Sequence, residues 1–206
     1  MKNKLIIFTR YPEAGHAKTR LIPCLGAEGA AILQRRMTEQ AVKIALLLAE
    51  EIRLENEIRF TGGSARKMKD WLGPNLLFCP QGRGDLGIRL SRASRDSFRA
   101  GAGQVVIIGA DCPNLSSTIL ATAFAKLAEH DLVVGPATDG GYYLIGLSTN
   151  QPGLFHNLPW GTNRVLPETL TMAEKSGLSF FLLEELCDVD RPEDLSQLLH
   201  DYPEWS

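Results

Sequence analysis

A carboxylate follows closely on a strongly apolar stretch of the sequence. Residues 105–108 are Val-Val-Ile-Ile, with no polar alternation, and Gly109 and Ala110 separate this run from Asp111. Such a run is typical of a strand buried on both faces of a parallel sheet. Open α/β sheets bind ligands at the carboxyl ends of their strands, so we expect Asp111 to face a binding crevice. The alternative is a turn or capping role, because Asp, Pro and Asn are ordinary turn residues.

Three cations lie on the loop that follows the first apolar run. Residues 5–9 predict a buried strand, and Arg10, Lys18 and Arg20 come after it. Arg offers forked hydrogen bonds and Lys a point charge, so these side chains can converge on a phosphate at the same edge of the sheet. The alternative is a solvated basic loop. Neither Lys18 nor Arg20 belongs to a core pattern, so we expect their substitution to leave the fold intact.

A glycine-rich segment precedes a helix predicted over residues 86–98. Gln81 and Gly84 lie in this segment, and Asp85 opens the helix. The N–H groups of a helix N-terminus attract phosphate, whereas a carboxylate at Asp85 is better suited to a ribose or a base. A plain capped turn would use the same residues.

Asp139 lies in a loop ahead of a strand that we expect to pair antiparallel. Gly140 and Gly141 follow it and allow the backbone to pass close to a bulky group, although a tight hairpin explains them equally well. An irregular aromatic stretch over residues 152–162 suits the wall of an acceptor site. Near the C-terminus, residues 188–194 hold several carboxylates ahead of a last helix, and capping accounts for only part of this cluster.

Strand and helix patterns alternate along the chain, and its length of 206 residues suits one α/β domain over residues 1–206. The longest pattern, with apolar residues such as Leu33, Met37 and Leu48 at helical spacing, predicts a helix from about Ala27 to Arg53. A net charge of −2 and a pI near 6.1 give no general attraction for nucleic acid, so we expect none as a partner. The apolar runs are too short for a signal-peptide core or a membrane span. The four cysteines show no zinc or disulfide spacing, which favours a reducing cytoplasm.

Six segments together resemble the GT-A-type nucleotide-dependent transferases, along essentially the whole chain. The segments are residues 15–21, 81–87, 108–113, 135–146, 160–162 and 188–195. More narrowly, the sequence resembles a bacterial family of glycosyltransferases linked to radical-SAM, selenium-related or arsenosugar-biosynthesis gene neighbourhoods. Parts of the first and last segments are also similar to phospholactate guanylyltransferases and cofactor nucleotidyltransferases.

The resemblance implies a three-layer α/β sandwich with a mostly parallel central sheet and a short antiparallel strand. It implies a bound Mg²⁺ or Mn²⁺, with Asp111 and either Asp188 or Asp190 as ligands. Asp139 is expected to be the general base, assisted by Lys18 and Arg20 on the leaving phosphate. The implied nucleotide-binding residues are Arg10, Lys18, Arg20, Gln81, Gly84, Asp85 and Asp111. The implied acceptor-binding residues are Gly140, Gly141, Tyr142, Trp160 and Thr162.

Three functions remain open at this point. The first is glycosyl transfer from a nucleoside-diphosphate sugar to a small acceptor. The second is nucleotidyl transfer from a nucleoside triphosphate to a phosphorylated small molecule with release of pyrophosphate. The third is nucleotide binding without catalysis. Glycosyl and nucleotidyl transfer both need cations on a diphosphate, so these residue types suit either reaction.

Overall fold

The computed structural model describes residues 2–205, in which seven strands form one sheet. The strands are β1 (Lys2–Arg10), β2 (Leu54–Thr61), β3 (Leu77–Pro80), β4 (Ala102–Gly109), β5 (Leu132–Pro136), β6 (Tyr142–Leu147) and β7 (Phe180–Leu182). Their order across the sheet is β3-β2-β1-β4-β6-β5-β7. Neighbouring strands are parallel, except that β6 is antiparallel to both β4 and β5. The predicted mostly parallel α/β sheet is confirmed.

Helices cover both faces of the sheet. They are α1 (Ile22–Glu51), α2 (Ala65–Leu72), α3 (Leu86–Arg99), α4 (Ser117–Lys126), α5 (Val165–Lys175) and α6 (Asp194–Asp201). On β1, Leu5 and Ile7 belong to the core shared with α1, α2 and α4, whereas Ile6 belongs to the core shared with α3 and α5. This alternation is the period of two expected of a strand. The result is the predicted three-layer sandwich.

The order of the strands fixes where a ligand can bind. From β1 the chain moves outward to β2 and β3, and then returns to place β4 on the opposite side of β1. The direction of winding therefore reverses between β1 and β4. In open α/β sheets the crevice at the carboxyl ends of such a pair is the usual ligand site. Arg10 ends β1 and Asp111 follows β4, so both lie at this crevice.

The longest helix, α1, spans 30 residues. Gly26 has φ +70° and interrupts its first turns, close to the start predicted at Ala27. Beyond this kink the buried face includes Leu33, Met37 and Leu48, at the predicted helical spacing.

None of the helices in the described part of the chain combines the length and the hydropathy that a membrane crossing requires.

A buried ion network, not foreseen from the sequence, lies between β1, β2 and α3. The carboxylate of Glu57 lies between two cations: its Oε2 is 2.6 Å from Nζ of Lys4, and its Oε1 pairs with Arg59. Nη1 of Arg59 also lies 3.4 Å from Oδ2 of Asp96, on α3. Burial acts to lower the pKa of Lys4, but the hydrogen bonds and charges of Glu57 and Glu55 outweigh it and raise that pKa. Glu57 thus neutralises two buried cations.

We expect Glu57→Gln to destabilise the fold by about 3 to 5 kcal/mol, because it leaves Lys4 and Arg59 without their shared counter-charge. The matched control is Glu55→Gln, which removes a more exposed partner of Lys4 at 3.0 Å and should cost much less. Urea unfolding of both variants measures the difference. Equal stabilities would show that the network contributes nothing specific.

Candidate active site

A cavity of about 810 Å³ opens at the carboxyl ends of β1 and β4. It brings together most of the residues predicted from the sequence, from segments far apart in the chain. The predicted residues that line it are Arg10, Lys18, Arg20, Gln81, Asp111, Asp139, Gly141, Tyr142, Trp160, Thr162, Asp188 and Asp190. The predicted residues that do not line it are Gly84, Asp85 and Gly140.

Lys18 brings a deeply buried charge to this site. Its side chain is 4% exposed, and its Nζ lies 2.6 Å from Oδ1 of Asp111 and 3.9 Å from Oδ1 of Asp190. Nζ also donates a hydrogen bond of 2.6 Å to the carbonyl of Val189. The backbone of Lys18 has φ +46°, a left-handed conformation that costs a non-glycine residue about 1 to 2 kcal/mol. This conformation places a buried ammonium group at the crevice.

The burial of Lys18 corrects one expectation. The sequence predicted that a substitution here would leave the fold intact, because Lys18 belongs to no core pattern. The structure shows an almost fully buried side chain with three polar partners, so its removal must also affect stability. Arg20 differs: its side chain is 65% exposed and pairs with Asp190. Arg20 is therefore the residue that fits the original expectation.

The segment that carries Asp188 and Asp190 is fixed against Asp111 by the backbone. The N–H of Val189 donates to the carbonyl of Asp111 at 2.9 Å. The Val189 side chain is buried in a small cluster with Leu21 and Leu198, which joins this segment to α1 and α6. Backbone and packing together hold the three aspartates at one edge of the sheet.

Carboxylates outnumber cations in this part of the cavity. Four line it: Asp111, Asp139, Asp188 and Asp190. Lys18 pairs with Asp111, and Arg20 pairs with Asp190. Burial, followed by the charges of Asp139 and Asp111, raises the pKa of Asp188 to about 6. A cation beside Asp188 would relieve this repulsion.

The carboxylates of the cavity suit a divalent cation whose coordination shell is completed by the substrate. Within residues 2–205 no three His, Cys, Asp or Glu side chains are arranged to hold a metal ion by themselves. Mg²⁺ is commonly bound by one or two carboxylates, with substrate phosphate and water filling its shell. Asp111, which is half-exposed, and Asp188, whose charge is uncompensated, supply such oxygens.

The loop with Asp139 is a tight turn between β5 and β6. Oδ1 of Asp139 accepts a hydrogen bond of 2.7 Å from the N–H of Gly141. Gly140 has φ +85°, and a Cβ there would lie 2.5 Å from Cα of Asn163, so only glycine fits. The bulky neighbour expected beside Gly140 is thus the segment leading to α5, while the Asp139 carboxylate stays at the cavity.

Two aromatic rings form one wall of the cavity. Tyr142 and Trp160 meet edge to face, with centroids 6.1 Å apart and planes at 80°. Trp160 approaches α3 closely at Gly87, where a Cβ would lie 2.7 Å from Nε1 of Trp160 and 2.2 Å from the carbonyl oxygen of Phe155. Gly87 therefore allows the aromatic wall to pack against the helix.

The glycine-rich segment serves packing and capping. Gly82, Gly84 and Gly87 have the spacing Gly-x-Gly-x-x-Gly of dinucleotide-binding loops, but they follow the edge strand β3 and not a strand at the switch point. A Cβ at Gly84 would lie 2.7 Å from the side chain of Ile88. Oδ1 of Asp85 accepts the N–H of Ile88 at 2.8 Å and so caps α3.

Gln81 and Arg10 line the cavity but also brace the strand ends. The side-chain amide of Gln81 donates to the carbonyls of Thr9 and Arg59, at 3.2 and 3.0 Å. Nη1 of Arg10 donates to the carbonyl of His16 at 2.9 Å, which holds the basic loop in its fold.

Sequence reasoning missed a polar group on α1 that reaches the same cavity. Gln34 lines it, and its amide donates to Thr9 and Thr38, at 3.2 and 3.1 Å. Gln34 and Thr38 are four residues apart, on the buried face of a helix otherwise packed by apolar side chains. Two polar residues at that spacing within an apolar stripe are the signal that could have found them.

Residues 45–162 match DUF2064, a family described as an uncharacterized protein conserved in bacteria. The match covers more than half of the chain. The chain belongs to the DUF2064 family. No curated protein matches this DUF2064 protein.

The crystal structure of a protein from Desulfovibrio desulfuricans G20, provisionally named a nucleotide-diphospho-sugar transferase, is similar along nearly the whole chain. It shares 32% sequence identity with a TM-score of 0.90, over 98% of this chain and 88% of that chain. The likeness confirms the predicted superfamily and the prediction that the protein is a transferase. The narrower gene neighbourhoods stay a prediction.

Two more distant structures share the fold alone. CMP:2-keto-3-deoxy-manno-octonic acid synthetase, in complex with CTP, is 11% identical with a TM-score of 0.63 and covers 99% of each chain. Rv0371c from Mycobacterium tuberculosis H37Rv, in complex with manganese, is 15% identical with a TM-score of 0.54, over 97% of this chain and 99% of that chain.

Proposed function

We propose that this DUF2064 protein is a metal-dependent glycosyltransferase, which moves a sugar from a nucleoside-diphosphate sugar to a small-molecule acceptor. The observation that carries the proposal is Lys18, a buried ammonium group held in a left-handed backbone beside Asp111 at the switch point. Strained residues of this kind concentrate at functional sites. The likeness to a protein named a nucleotide-diphospho-sugar transferase supports the same class.

The leaving diphosphate would bind between the basic loop and the end of β4. Lys18 supplies a fixed positive charge there, and the exposed guanidinium of Arg20 supplies forked donors. Both are preorganised by aspartates of the chain, so little rearrangement is needed when negative charge builds on the phosphate. Arg10 and Gln81, at the ends of β1 and β3, are proposed for the nucleoside side.

Asp111, with Asp188 or Asp190, would hold Mg²⁺ or Mn²⁺. When bound, such an ion neutralises charge on the diphosphate and stabilises it as a leaving group. A manganese complex of a protein with the same fold supports the choice of metal.

The acceptor would enter from the side of β5 and β6. Asp139 is the proposed general base, since its carboxylate lines the cavity and can take the proton of an acceptor hydroxyl as the bond to the sugar forms. Gly141, Tyr142, Trp160 and Thr162 form the surrounding wall. Gly140 acts only through the turn that it closes.

Nucleotidyl transfer is the second candidate, and the whole-length fold likeness to a synthetase that binds CTP favours it. The two reactions break different bonds. In glycosyl transfer the C1–O bond of the sugar breaks and nucleoside diphosphate leaves. In nucleotidyl transfer the α-phosphorus is attacked and pyrophosphate leaves.

Product analysis separates these functions. The protein is incubated with Mg²⁺ or Mn²⁺, with UDP-, GDP-, ADP- or CDP-sugars and small hydroxyl compounds as acceptors in one series, and with the nucleoside triphosphates and phosphorylated small molecules in the other. The proposal expects nucleoside diphosphate from a nucleotide sugar. Pyrophosphate from a triphosphate would establish the second candidate instead. Tight nucleotide binding with neither product would identify a binding module and contradict both.

A further inference from the structure

We propose that the acceptor is an uncharged, ring-bearing hydroxyl compound and not a phosphorylated one. This inference rests on the proposed function and adds the chemical class of the acceptor. It follows from how charge and apolar surface are divided between the two sides of the cavity.

The cations of the cavity all come from the first half of the chain. The basic side chains that line it are Arg10, His16, Lys18, Arg20 and Arg89. The described lining residues from Ala137 onward include three carboxylates and no Lys, Arg or His. Arg164 is the nearest basic residue in sequence to the aromatic wall, but its side chain is 72% exposed and paired with Glu168.

A phosphate on the acceptor would therefore face the Asp139 carboxylate, and the described lining residues from Ala137 onward offer it no cation. A negative group on this side would be repelled by that carboxylate. The charges favour an acceptor with no negative group.

The aromatic wall selects for a ring with an apolar face. Trp160 and Tyr142 present their rings to the cavity beside Val165, in an arrangement that suits the C–H face of a sugar or cyclitol. The Tyr142 hydroxyl is buried and has no hydrogen-bond partner among the described residues. Burial raises the pKa of Tyr142, so the phenol stays neutral and adds no negative charge to the aromatic wall.

Matched acceptor pairs test the inference by ligand-observed saturation-transfer NMR, on protein loaded with Mg²⁺ and whichever of ADP, CDP, GDP or UDP binds most tightly. The pairs are glucose and glucose 6-phosphate, and myo-inositol and its 1-phosphate. We expect the neutral member to bind at least about tenfold more tightly in each pair, because the Asp139 carboxylate repels the phosphate. Trp160→Ala should remove the saturation-transfer signal of the neutral member.

A charge added to the wall provides the decisive control. Thr162 is exposed, lines the cavity and donates to the carbonyl of Pro159 at 2.8 Å. Thr162→Lys should shift the preference toward the phosphorylated member, whereas Thr162→Val, which loses only the hydroxyl, should not. Tighter binding of the phosphorylated member by wild type, or no discrimination in any pair, overturns the inference. If no nucleotide binds at all, the proposed function fails, and the inference fails with it.

Discussion

Asp139→Asn is expected to bind nucleotide as wild type does but to lose transfer by about 10² to 10⁴-fold, because a general base contributes about that factor. The substitution is a clean one. The amide oxygen of Asn can accept the same hydrogen bond from Gly141 that Oδ1 of Asp139 accepts, so the turn between β5 and β6 is preserved. Only the ability to take a proton is removed.

Calorimetry with nucleoside diphosphate and an assay of acceptor-dependent product release measure the two properties of the Asp139 variant separately. Asp70→Asn is the control, since Asp70 lies on the exposed surface of α2 and outside the cavity. Turnover equal to wild type would reduce Asp139 to a turn residue. Loss of nucleotide affinity would show that Asp139 serves the nucleotide and not the acceptor.

Removing Lys18 is expected to affect both binding and stability. Loss of a charge-assisted contact with phosphate should weaken nucleotide affinity by about 1.5 to 3 kcal/mol. Lys18→Met, which keeps the length of the side chain, also leaves Asp111 and the carbonyl of Val189 without their donor. We therefore expect a lower urea midpoint as well as weaker binding.

Arg20→Ala separates these two effects. Arg20 is mostly exposed and, among the described residues, forms an ion pair with Asp190 alone, so its removal should weaken nucleotide binding without a comparable loss of stability. Calorimetric titrations are compared with urea unfolding for both variants. Unchanged nucleotide affinity in both Lys18→Met and Arg20→Ala would contradict the phosphate role of the basic loop.

The central part of the fold could be predicted because its signals are local. The apolar run over residues 105–108 identified β4 from composition alone, and its end placed Asp111 just beyond the strand, at the carboxyl edge of the sheet. The spacing of Leu33, Met37 and Leu48 identified α1 in the same way. Both patterns depend on residues close in sequence, so no knowledge of the topology was needed.

The surroundings of Lys18 could not be predicted because they depend on contacts between distant segments. Lys18 and Val189 are 171 residues apart, and the left-handed backbone that turns Lys18 inward has no signature in its neighbours. In the sequence, Lys4, Glu57 and Arg59 look like ordinary exposed residues of strands. Only the register of β1 against β2 makes them a buried network.

The glycines were ambiguous for a related reason. A glycine-rich loop before a helix suits both phosphate binding and close packing, and sequence spacing does not distinguish these. In this chain Gly84 and Gly87 are required by Ile88 and Phe155, and Asp85 is a cap. The position of β6, inserted between β4 and β5, likewise arises from pairing that the sequence does not encode locally.

The metal at Asp111 is the central claim of the proposed function. In the proposed complex Asp111 would face a diphosphate with several negative charges, and at 4 Å each unit-charge pair would cost about 4 kcal/mol in a surface-like dielectric. Lys18 compensates for part of this repulsion, but no ion pair to Asp188 is present among the described residues, and Asp139 and Asp111 act on it with the same charge. Asp111→Asn removes one metal ligand and also one repulsive charge, so affinity in the absence of metal is not expected to fall.

The most direct test is a calorimetric titration of nucleoside diphosphate into wild type and Asp111→Asn, each with and without Mg²⁺ or Mn²⁺. The proposed function predicts that the metal strongly raises the affinity of wild type and that Asp111→Asn loses most of this increase. Equal affinity under all four conditions would contradict it, and Asp111 would then be a turn residue paired with Lys18.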